Sequence, residues 1–249
     1  MAVAYARRVH PIERLRYVAR AGVVPVGPLV RESAAALSSF AEDPKGLLTS
    51  CRRLLDRRSD CGPLVWLAAR MLVAMDPRTE AGRVVDELDA DTTGRVLERG
   101  LDSLAAGSSV LAVGELGAFA TALQDRPDLR WMEADDPAAA GMADLVLTAT
   151  DCAGPSHALV VAEAVAAAEA ARDCGTPVWL AAGAGRILPG PMWDLLSVRQ
   201  RPDDPSMRGL AVLDLHHLVT RVATPSGLRT PAEAARWSDC PVVPELFAS

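Results

Sequence analysis

Residues 143–151 have the sequence ADLVLTATD, a short apolar run that ends in a carboxylate. A run of this length without polar alternation is typical of a strand that a parallel sheet buries on both faces. We therefore predict a buried strand over 144–150, with Asp151 at its carboxyl end.

Similar apolar runs flank this strand along the chain, and segments with helical spacing separate them. We predict further strands over 108–114, 129–133, 177–182 and 210–214. Helices are predicted over 115–124 and, in an alanine-rich segment, over 156–173. Strands that alternate with helices of this length indicate βαβ units and a doubly wound parallel sheet.

The chain before residue 107 has a different pattern, in which apolar residues recur at helical spacing and prolines mark the boundaries. We predict helices over 11–20, 29–41, 45–58 and 63–75, with one or two more within 79–106. The predicted fold class is therefore α/β: a helical N-terminal domain, residues 1–106, followed by a parallel-sheet domain, residues 107–249.

Ligands of doubly wound sheets bind beyond the carboxyl ends of the strands, near the point where the strand order reverses. The loops predicted at that edge are 114–117, 135–136, 151–152 and 183–186. A functional site is therefore expected where these loops meet.

The charge of the chain argues against nucleic acid as a direct partner. The formal net charge is −6, from 32 acidic and 26 basic residues, and the two signs are interleaved along the chain. One basic cluster stands out, formed by Arg52, Arg53, Arg57 and Arg58. It fits either the solvated face of a helix or an anion site, and the sequence leaves both interpretations open.

The cysteines and the hydropathy favour a reducing compartment. The five cysteines are an odd number and include no C-x-x-C pair, which argues against a disulfide framework and against a structural zinc site. The first residues lack the apolar region of a signal peptide, and no uncharged apolar run reaches roughly 18 residues. We therefore predict a cytoplasmic protein with no membrane span, no metal and no cofactor.

Several segments resemble, in the same order, a superfamily that holds methylthioribose-1-phosphate isomerase, ribose-1,5-bisphosphate isomerase and the regulatory subunits of translation initiation factor 2B. Residues 143–151 are similar to its strand ending in Gly-Ala-Asp, and 172–189 to its Lys-x-x-Gly-Val-Pro-Val-Tyr strand with the following Tyr-Lys-Phe loop. Residues 210–231 resemble its closing stretch. Near the start, 19–41 resemble its Arg-Gly-Ala-Pro-Ala-Ile-Gly segment, and 57–71 its Arg-Pro-Thr-Ala-x-Asn-Leu segment.

The resemblance implies a helical N-terminal domain, a Rossmann-like C-terminal domain and a homodimer formed through the latter. It also implies a cleft between the domains for a phosphorylated pentose or a nucleotide. The isomerases of this superfamily convert an aldose phosphate into a ketose. In them, a cysteine after the first strand and the aspartate of Gly-Ala-Asp act as the proton donor and acceptor.

Asp151 matches that aspartate, although a carboxylate at this place could equally be the N-cap of a following helix. Gly114 stands where the isomerases have their cysteine, and glycine can neither donate nor accept a proton. Glu115 is adjacent and could substitute, or it could be an exposed glutamate at a helix start. The family's Asn-Lys pair is also missing, since 160–164 are apolar or acidic there.

Three arginines match basic residues of the family. Arg20 corresponds to the arginine of Arg-Gly-Ala, Arg58 to that of Arg-Pro-Thr-Ala, and Arg186 to the lysine of Tyr-Lys-Phe. Converging on one cleft they would form an anion site, because arginine makes bidentate contacts to phosphate. Each alone could instead be a surface or ion-pair arginine.

Two further side chains near Asp151 are candidate acids or bases. Cys152 could be a displaced catalytic thiol, reactive at a helix N-terminus, or a packing residue. His157, predicted one turn into the same helix, could act as a base. The pair His216-His217 has no third ligand at metal spacing, so a surface pair is the better interpretation.

Two hypotheses follow for the function. In the first, the chain is a binding protein that holds a nucleotide, a sugar phosphate or a partner protein without turning it over, as the missing thiol and the missing Asn-Lys pair favour. In the second, it is a phosphosugar isomerase that uses Asp151 with Cys152, His157 or Glu115. Fold alone does not decide between them.

Overall fold

The computed structural model describes residues 25–120, 126–132, 137–199 and 207–248. The predicted helix over 11–20, Arg20 and the loop 135–136 lie outside the described residues. Of the remaining predicted elements, most are found close to the expected positions. The predicted helix over 115–124 is wrong at its start, because 115–116 belong to a loop and Gly117–Phe119 form a short 3₁₀ turn.

Helices precede the first strand, as the spacing of apolar residues predicted. They are α1 Val26–Leu37, α2 Pro44–Leu55, α3 Gly62–Val73, α4 Pro77–Asp89 and α5 Thr93–Leu101. Proline stands in the first turn of α2, α3 and α4, where its missing N–H breaks no helical hydrogen bond. The carboxylates of Asp43 and Asp76 cap α2 and α4 by accepting from backbone N–H groups.

Strands and shorter helices alternate from residue 109 onward. The strands are β1 Ser109–Val113, β2 Arg130–Met132, β3 Leu145–Ala149, β4 Cys152–Ala153, β5 His157–Val161, β6 Val178–Ala181, β7 Leu210–Asp214, β8 Arg221–Thr224 and β9 Gly227–Arg229. The helices among them are α6 Ala162–Cys174, α7 Gly190–Arg199, α8 Leu215–Leu218 and α9 Pro231–Ala234.

The main sheet is a six-stranded, mostly parallel sheet in the order β2-β1-β3-β6-β8-β9. All neighbours run parallel except β9, which forms a hairpin with β8. The chain passes from β1 outward to β2 and then back across β1 to β3, so the strand order reverses between β1 and β3. The predicted α/β class with a parallel sheet is therefore confirmed.

A second, antiparallel sheet of order β4-β5-β7 corrects two sequence predictions. Residues 210–214 do form a strand, but β7 pairs with β5 in this second sheet and not with the parallel sheet, in which β8 lies beside β6. The predicted helix over 156–173 is wrong at its start, because 157–161 form β5 and α6 begins only at Ala162. His157 and Cys152 therefore lie on strands and not at the beginning of a helix.

The helical part and the sheet part share a continuous core. The N-terminal helices pack around a cluster that includes Cys152 and Leu159 from the second sheet and Leu246 and Phe247 from the end of the chain. On the main sheet, α6 packs through four buried alanines, Ala164, Ala167, Ala168 and Ala171. Residues of α5 bury the opposite face. The division into domains at residue 106 stays a prediction.

None of the helices within the described residues is both long enough and apolar enough to cross a membrane.

The burial of the thiols leads to a chemical prediction. Cys51, Cys61, Cys152 and Cys240 are buried, and only Cys174 of the five cysteines is exposed. Burial raises the pKa of Cys51, Cys61 and Cys240 to about 12, and that of Cys152 well above its ordinary value of 9.0. A colorimetric thiol reagent at pH 8 should therefore modify one thiol quickly and the other four only on unfolding. The variant Cys174→Ser should abolish the fast phase; a second fast thiol would contradict the packing.

Candidate functional site

The carboxyl ends of three neighbouring strands bring the predicted loops together. Val113 of β1 pairs with Thr148 of β3, which in turn pairs with Leu180 of β6. Gly114, Asp151 and the 183–186 loop therefore leave the sheet at one edge. This edge includes the point where the strand order reverses, where open α/β sheets bind their ligands.

The backbone at Asp151 is fixed on both sides. The buried Thr150 hydroxyl lies 2.6 Å from the carbonyl oxygen of Leu159 and accepts a hydrogen bond from the N–H of Cys152 at 3.1 Å. The N–H of Gly62, in the first turn of α3, donates to the carbonyl oxygen of Asp151 at 2.7 Å. The side chain of Asp151 remains 54% exposed. Because β4 follows it, the alternative role as a helix N-cap is wrong.

Arg186 joins Asp151 to two other elements. Its Nε donates to Asp151 Oδ1 at 3.1 Å, and its Nη1 lies 3.7 Å from Asp91 Oδ2. The guanidinium group stacks over the ring of Phe119, 5.3 Å from the ring centroid. The side chain is only 9% exposed, so this cation is buried between carboxylates and an aromatic face.

Asp91 and Phe119 were not found from the sequence. Asp91 lies in the connection between α4 and α5, with Oδ1 accepting from the N–H of Thr93 at 2.8 Å and Oδ2 accepting from the N–H of Ala184 at 3.0 Å. Gly183 leaves space for this arrangement, since a Cβ there would overlap Asp91 Oδ2 and lie 2.6 Å from Arg186 Nη1. No local pattern marks Asp91 as part of the site, because its partners there, Ala184 and Arg186, are more than 90 residues away.

Arg58 lies in the connection between α2 and α3 and is paired on one side only. Its Nε and Nη2 donate to Asp60 at 2.9 and 3.0 Å, whereas Nη1 is buried without a hydrogen-bond partner. Burial alone would lower the pKa of Arg58, but the hydrogen bond to Asp60 and the charges of Asp60 and Asp151 outweigh it, so the pKa is raised. Arg58 is therefore a cation within electrostatic range of Asp151 that has one buried, unpaired donor.

We call these five side chains the edge cluster: Arg58, Asp60, Asp91, Asp151 and Arg186. Of the three predicted arginines, the described residues contain two, and both lie in this cluster; Arg20 lies outside them. The four arginines of the basic cluster predicted from the sequence therefore do not form one site, because only Arg58 belongs to the edge cluster. Arg53 and Arg57 are exposed, as the solvated-face interpretation expects, and Arg52 donates to the carbonyl oxygen of Glu245.

The thiols beside the edge cluster are protonated at neutral pH. Burial raises the pKa of Cys61 to about 12, and the negative charges of Asp151 and Asp60 add to the effect. The pKa of Cys152 is raised well above its ordinary value, chiefly by complete burial. The expectation that a helix N-terminus activates Cys152 is wrong, because the residue lies within a strand.

The other predicted acids and bases lie apart from Asp151 or are open to solvent. His157 Nδ1 lies 2.8 Å from the hydroxyl of Ser156, and within the described part of the chain no hydrogen bond or ion pair joins it to Asp151. Glu115 is exposed in the loop after β1, before the short 3₁₀ turn Gly117–Phe119. His216 and His217 are exposed, and His217 pairs with Asp214. Among the residues described, no three His, Cys, Asp or Glu side chains are arranged to hold a metal ion.

Gly114 has a backbone conformation and surroundings that exclude a side chain. Its φ is +77°, and a Cβ would lie 2.7 Å from Cγ2 of Val161 at the end of β5. Valine is stiff about χ1, so Val161 cannot easily make room. The position is thus built for glycine, and a cysteine would be strained there.

This geometry predicts opposite effects for two glycine substitutions. Gly114→Ala should lower the free energy of unfolding by about 2 kcal/mol, because it adds both a left-handed non-glycine residue and a close contact. Gly82→Ala should instead raise it by up to about 1 kcal/mol, because Gly82 lies within α4 and a Cβ there meets nothing within 4 Å. Urea unfolding of the two variants measures both changes. A neutral Gly114→Ala would contradict the strain at this position.

The chain matches no family model and no curated protein. Solved structures, however, share its fold. Translation initiation factor eIF-2B from Pyrococcus horikoshii OT3 superposes with a TM-score of 0.67 at 14% identity, over 90% of this chain and 98% of that one. The tetrameric eIF2B-beta2-delta2 complex from C. thermophilum contains a chain with a TM-score of 0.67 at 14% identity, covering 91% of this chain and 92% of its own length.

An enzyme has the same fold. The 5-methylthioribose 1-phosphate isomerase from Pyrococcus horikoshii OT3 superposes with a TM-score of 0.55 at 15% identity, over 90% of this chain and 85% of that one. At these identities the matches establish a common fold. The fold that the sequence resemblance implied is thereby confirmed: the chain shares the fold of initiation factor 2B subunits and of 5-methylthioribose 1-phosphate isomerase.

Proposed function

We propose that the chain is a binding protein with an initiation-factor-2B-like fold that holds a phosphorylated small molecule, a sugar phosphate or a nucleotide, at the edge cluster. The observation that carries the proposal is Nη1 of Arg58, a buried cationic donor without a hydrogen-bond partner. A buried donor left unsatisfied costs roughly 1–3 kcal/mol. A phosphate oxygen would satisfy it with a charge-assisted hydrogen bond.

Asp151 supplies the complementary polar group. One carboxylate oxygen accepts from Arg186, and the side chain is half exposed, so its other oxygen is open to a ligand. A carboxylate oxygen accepts hydrogen bonds from hydroxyl groups such as those of a pentose. The edge cluster therefore combines an anion-binding donor with a hydroxyl-binding acceptor, which suits a phosphorylated sugar or a nucleotide.

Binding without turnover is supported by the groups that stand where proton carriers would be needed. Gly114 carries no side chain, and Val161 fills the space beside it. Cys61 and Cys152 are buried thiols whose pKa values are raised, so neither is a ready proton carrier at neutral pH. The absence of one general acid or base typically costs a factor of about 100 to 10,000 in rate.

The proposal is tested by thermal unfolding of the chain with ribose 5-phosphate, AMP and, as the unphosphorylated control, ribose. A ligand at about 100 times its Kd stabilises the folded state by about 2.7 kcal/mol. We expect the phosphorylated compounds to raise the Tm and ribose to leave it unchanged. Equal Tm values with all three compounds would contradict a phosphate site.

The alternative function is a phosphosugar isomerase that uses Asp151 with a substitute acid or base. One observation favours it: the exposed carboxylate of Asp151 lies beside the two thiols Cys61 and Cys152, whose pKa values its charge raises further. An isomerase moves hydrogen between adjacent carbons, so incubation of an aldose phosphate in D₂O followed by NMR tests it. Deuterium at C2 or appearance of the ketose, lost in Asp151→Asn, would replace the binding proposal by the enzymatic one.

We further propose a cytoplasmic homodimer, in which residues 1–106 and 107–249 are the two domains. The assembly of the C. thermophilum subunits into a tetramer supports an oligomer, and five free cysteines support a reducing compartment. Light scattering after size exclusion should give twice the chain mass of 26.3 kDa. A mass of one chain at micromolar concentration would contradict the dimer.

A further inference from the structure

Asp91 is a member of the edge cluster that neither the sequence analysis nor the proposed function explains. It belongs to the helical part of the chain, yet both of its carboxylate oxygens are engaged at the carboxyl edge of the sheet or at the start of α5. Its side chain is only 13% exposed. Burying a carboxylate is unfavourable unless it is paired, so the position of Asp91 requires Arg186 and the N–H of Ala184.

Arg186 is held from three directions. Asp91 Oδ2 lies 3.7 Å from Nη1, the ring of Phe119 lies against the guanidinium plane, and Asp151 accepts from Nε. A planar guanidinium group has its donors in fixed directions, so the side that faces Asp91 determines where Nε points. Because Nε is the donor that holds Asp151, the orientation of the Asp151 carboxylate depends on Asp91.

We propose that Asp91 is a positioning residue of the site: through Arg186 it orients the Asp151 carboxylate, so that its free oxygen faces the sugar hydroxyls of the ligand. The part of this inference that concerns the ligand rests on the proposed function. Asp91 itself is nearly buried and has both oxygens engaged, so it acts through Arg186 and not by touching the ligand.

The ligand-free test follows the Arg186 Nε–H by NMR, with its resonance assigned by its loss in Arg186→Lys. In the wild-type chain this proton is buried and hydrogen-bonded to Asp151, so its exchange with water should be slow. Asp91→Asn should accelerate the exchange at least about tenfold, as Asp151→Asn should. Gly183→Ala should do the same by a different route, since its Cβ displaces Asp91 Oδ2. Unchanged exchange in Asp91→Asn and Gly183→Ala would overturn the proposal.

The ligand test compares two probes, ribose 5-phosphate and inorganic phosphate, by calorimetric titration. Asp91→Asn should weaken the binding of ribose 5-phosphate about tenfold, the effect of one lost hydrogen bond. It should leave the binding of inorganic phosphate unchanged, because within the described residues no hydrogen bond or ion pair joins Arg58 to Asp91. A parallel loss for both probes would indicate a merely structural role and overturn the proposal. Asp86→Asn is the matched control. Asp86 is an exposed carboxylate on α4, and its substitution removes the same charge as Asp91→Asn.

Failure of the proposed function is distinguishable from failure of this inference. If the wild-type chain binds neither probe, the proposed phosphate site is refuted. The exchange of the Arg186 Nε–H proton with water still decides whether Asp91 positions Asp151. If the wild-type chain binds ribose 5-phosphate and Asp91→Asn binds it equally well, the phosphate site stands and the positioning role is overturned.

Discussion

Arg186→Met is expected to lower the free energy of unfolding by about 3 kcal/mol, the cost of removing one partner from a buried ion pair. The substitution keeps an unbranched side-chain stem but leaves Asp91, which is only 13% exposed, without its cation. It also removes the cation that lies against the ring of Phe119. Urea unfolding followed by circular dichroism measures the loss.

Two comparisons separate this effect from a general one. Arg172→Met should change the free energy of unfolding by less than about 0.5 kcal/mol, because Arg172 is half exposed and, among the described residues, its ion pair is with its neighbour Asp173. The double variant Asp91→Asn with Arg186→Met should recover part of the loss, since the unpaired charge is gone. A loss below about 1 kcal/mol in Arg186→Met would show that Arg186 is not a buried link between the two parts of the chain.

Arg58→Gln is expected to weaken the binding of ribose 5-phosphate at least about hundredfold, because it removes a buried cationic donor of the edge cluster that has no hydrogen-bond partner. Arg58→Lys should have an intermediate effect, since it keeps the charge and loses the planar fork that Asp60 holds. Calorimetric titration measures the three affinities.

The neighbouring Arg57 provides the matched control for this second prediction. Arg57 is exposed and carries the same charge one residue away, so Arg57→Gln should change the affinity by no more than about twofold. Because Arg58→Gln leaves Asp60 without its partner, the Tm of each variant is measured first. A folded Arg58→Gln chain that binds within threefold of the wild-type affinity would place the phosphate elsewhere.

The strands of the main sheet were predictable because each is a short apolar run that both faces of the sheet bury. Leu145, Val146 and Leu147 in β3 are fully buried, which is the environment that such a run predicts. The same criterion does not say which sheet a strand joins. Residues 210–214 were therefore predicted as a strand correctly and assigned to the wrong sheet, since pairing partners are set by long-range contacts.

The start of α6 was predicted wrongly because two elements follow each other without a break. Val161 ends β5 and Ala162 begins α6, with no glycine or proline between them. The alanines that follow favour a helix, and the apolar residues of β5 fit helical spacing as well as strand alternation. What selects the strand is pairing with β4 and β7 on either side, which no local pattern contains.

The site was only partly predictable for the same reason. Asp151 follows a recognisable strand, and Arg58 and Arg186 match basic positions of the resembled family, so these three could be named from the sequence. Asp91 and Phe119 come from connections whose sequence marks no function, and only the folded chain brings them to Arg186. The burial of Cys152, which decides for a packing residue over a reactive thiol, likewise depends on residues distant in the sequence.

The most direct test of the account is a crystal structure of the chain grown with ribose 5-phosphate. We expect the phosphate within about 3 Å of Arg58 Nη1 and a sugar hydroxyl within hydrogen-bond distance of the free oxygen of Asp151. A phosphate bound at another surface, or crystals in which Arg58 Nη1 meets only protein or water at saturating ligand, would contradict it.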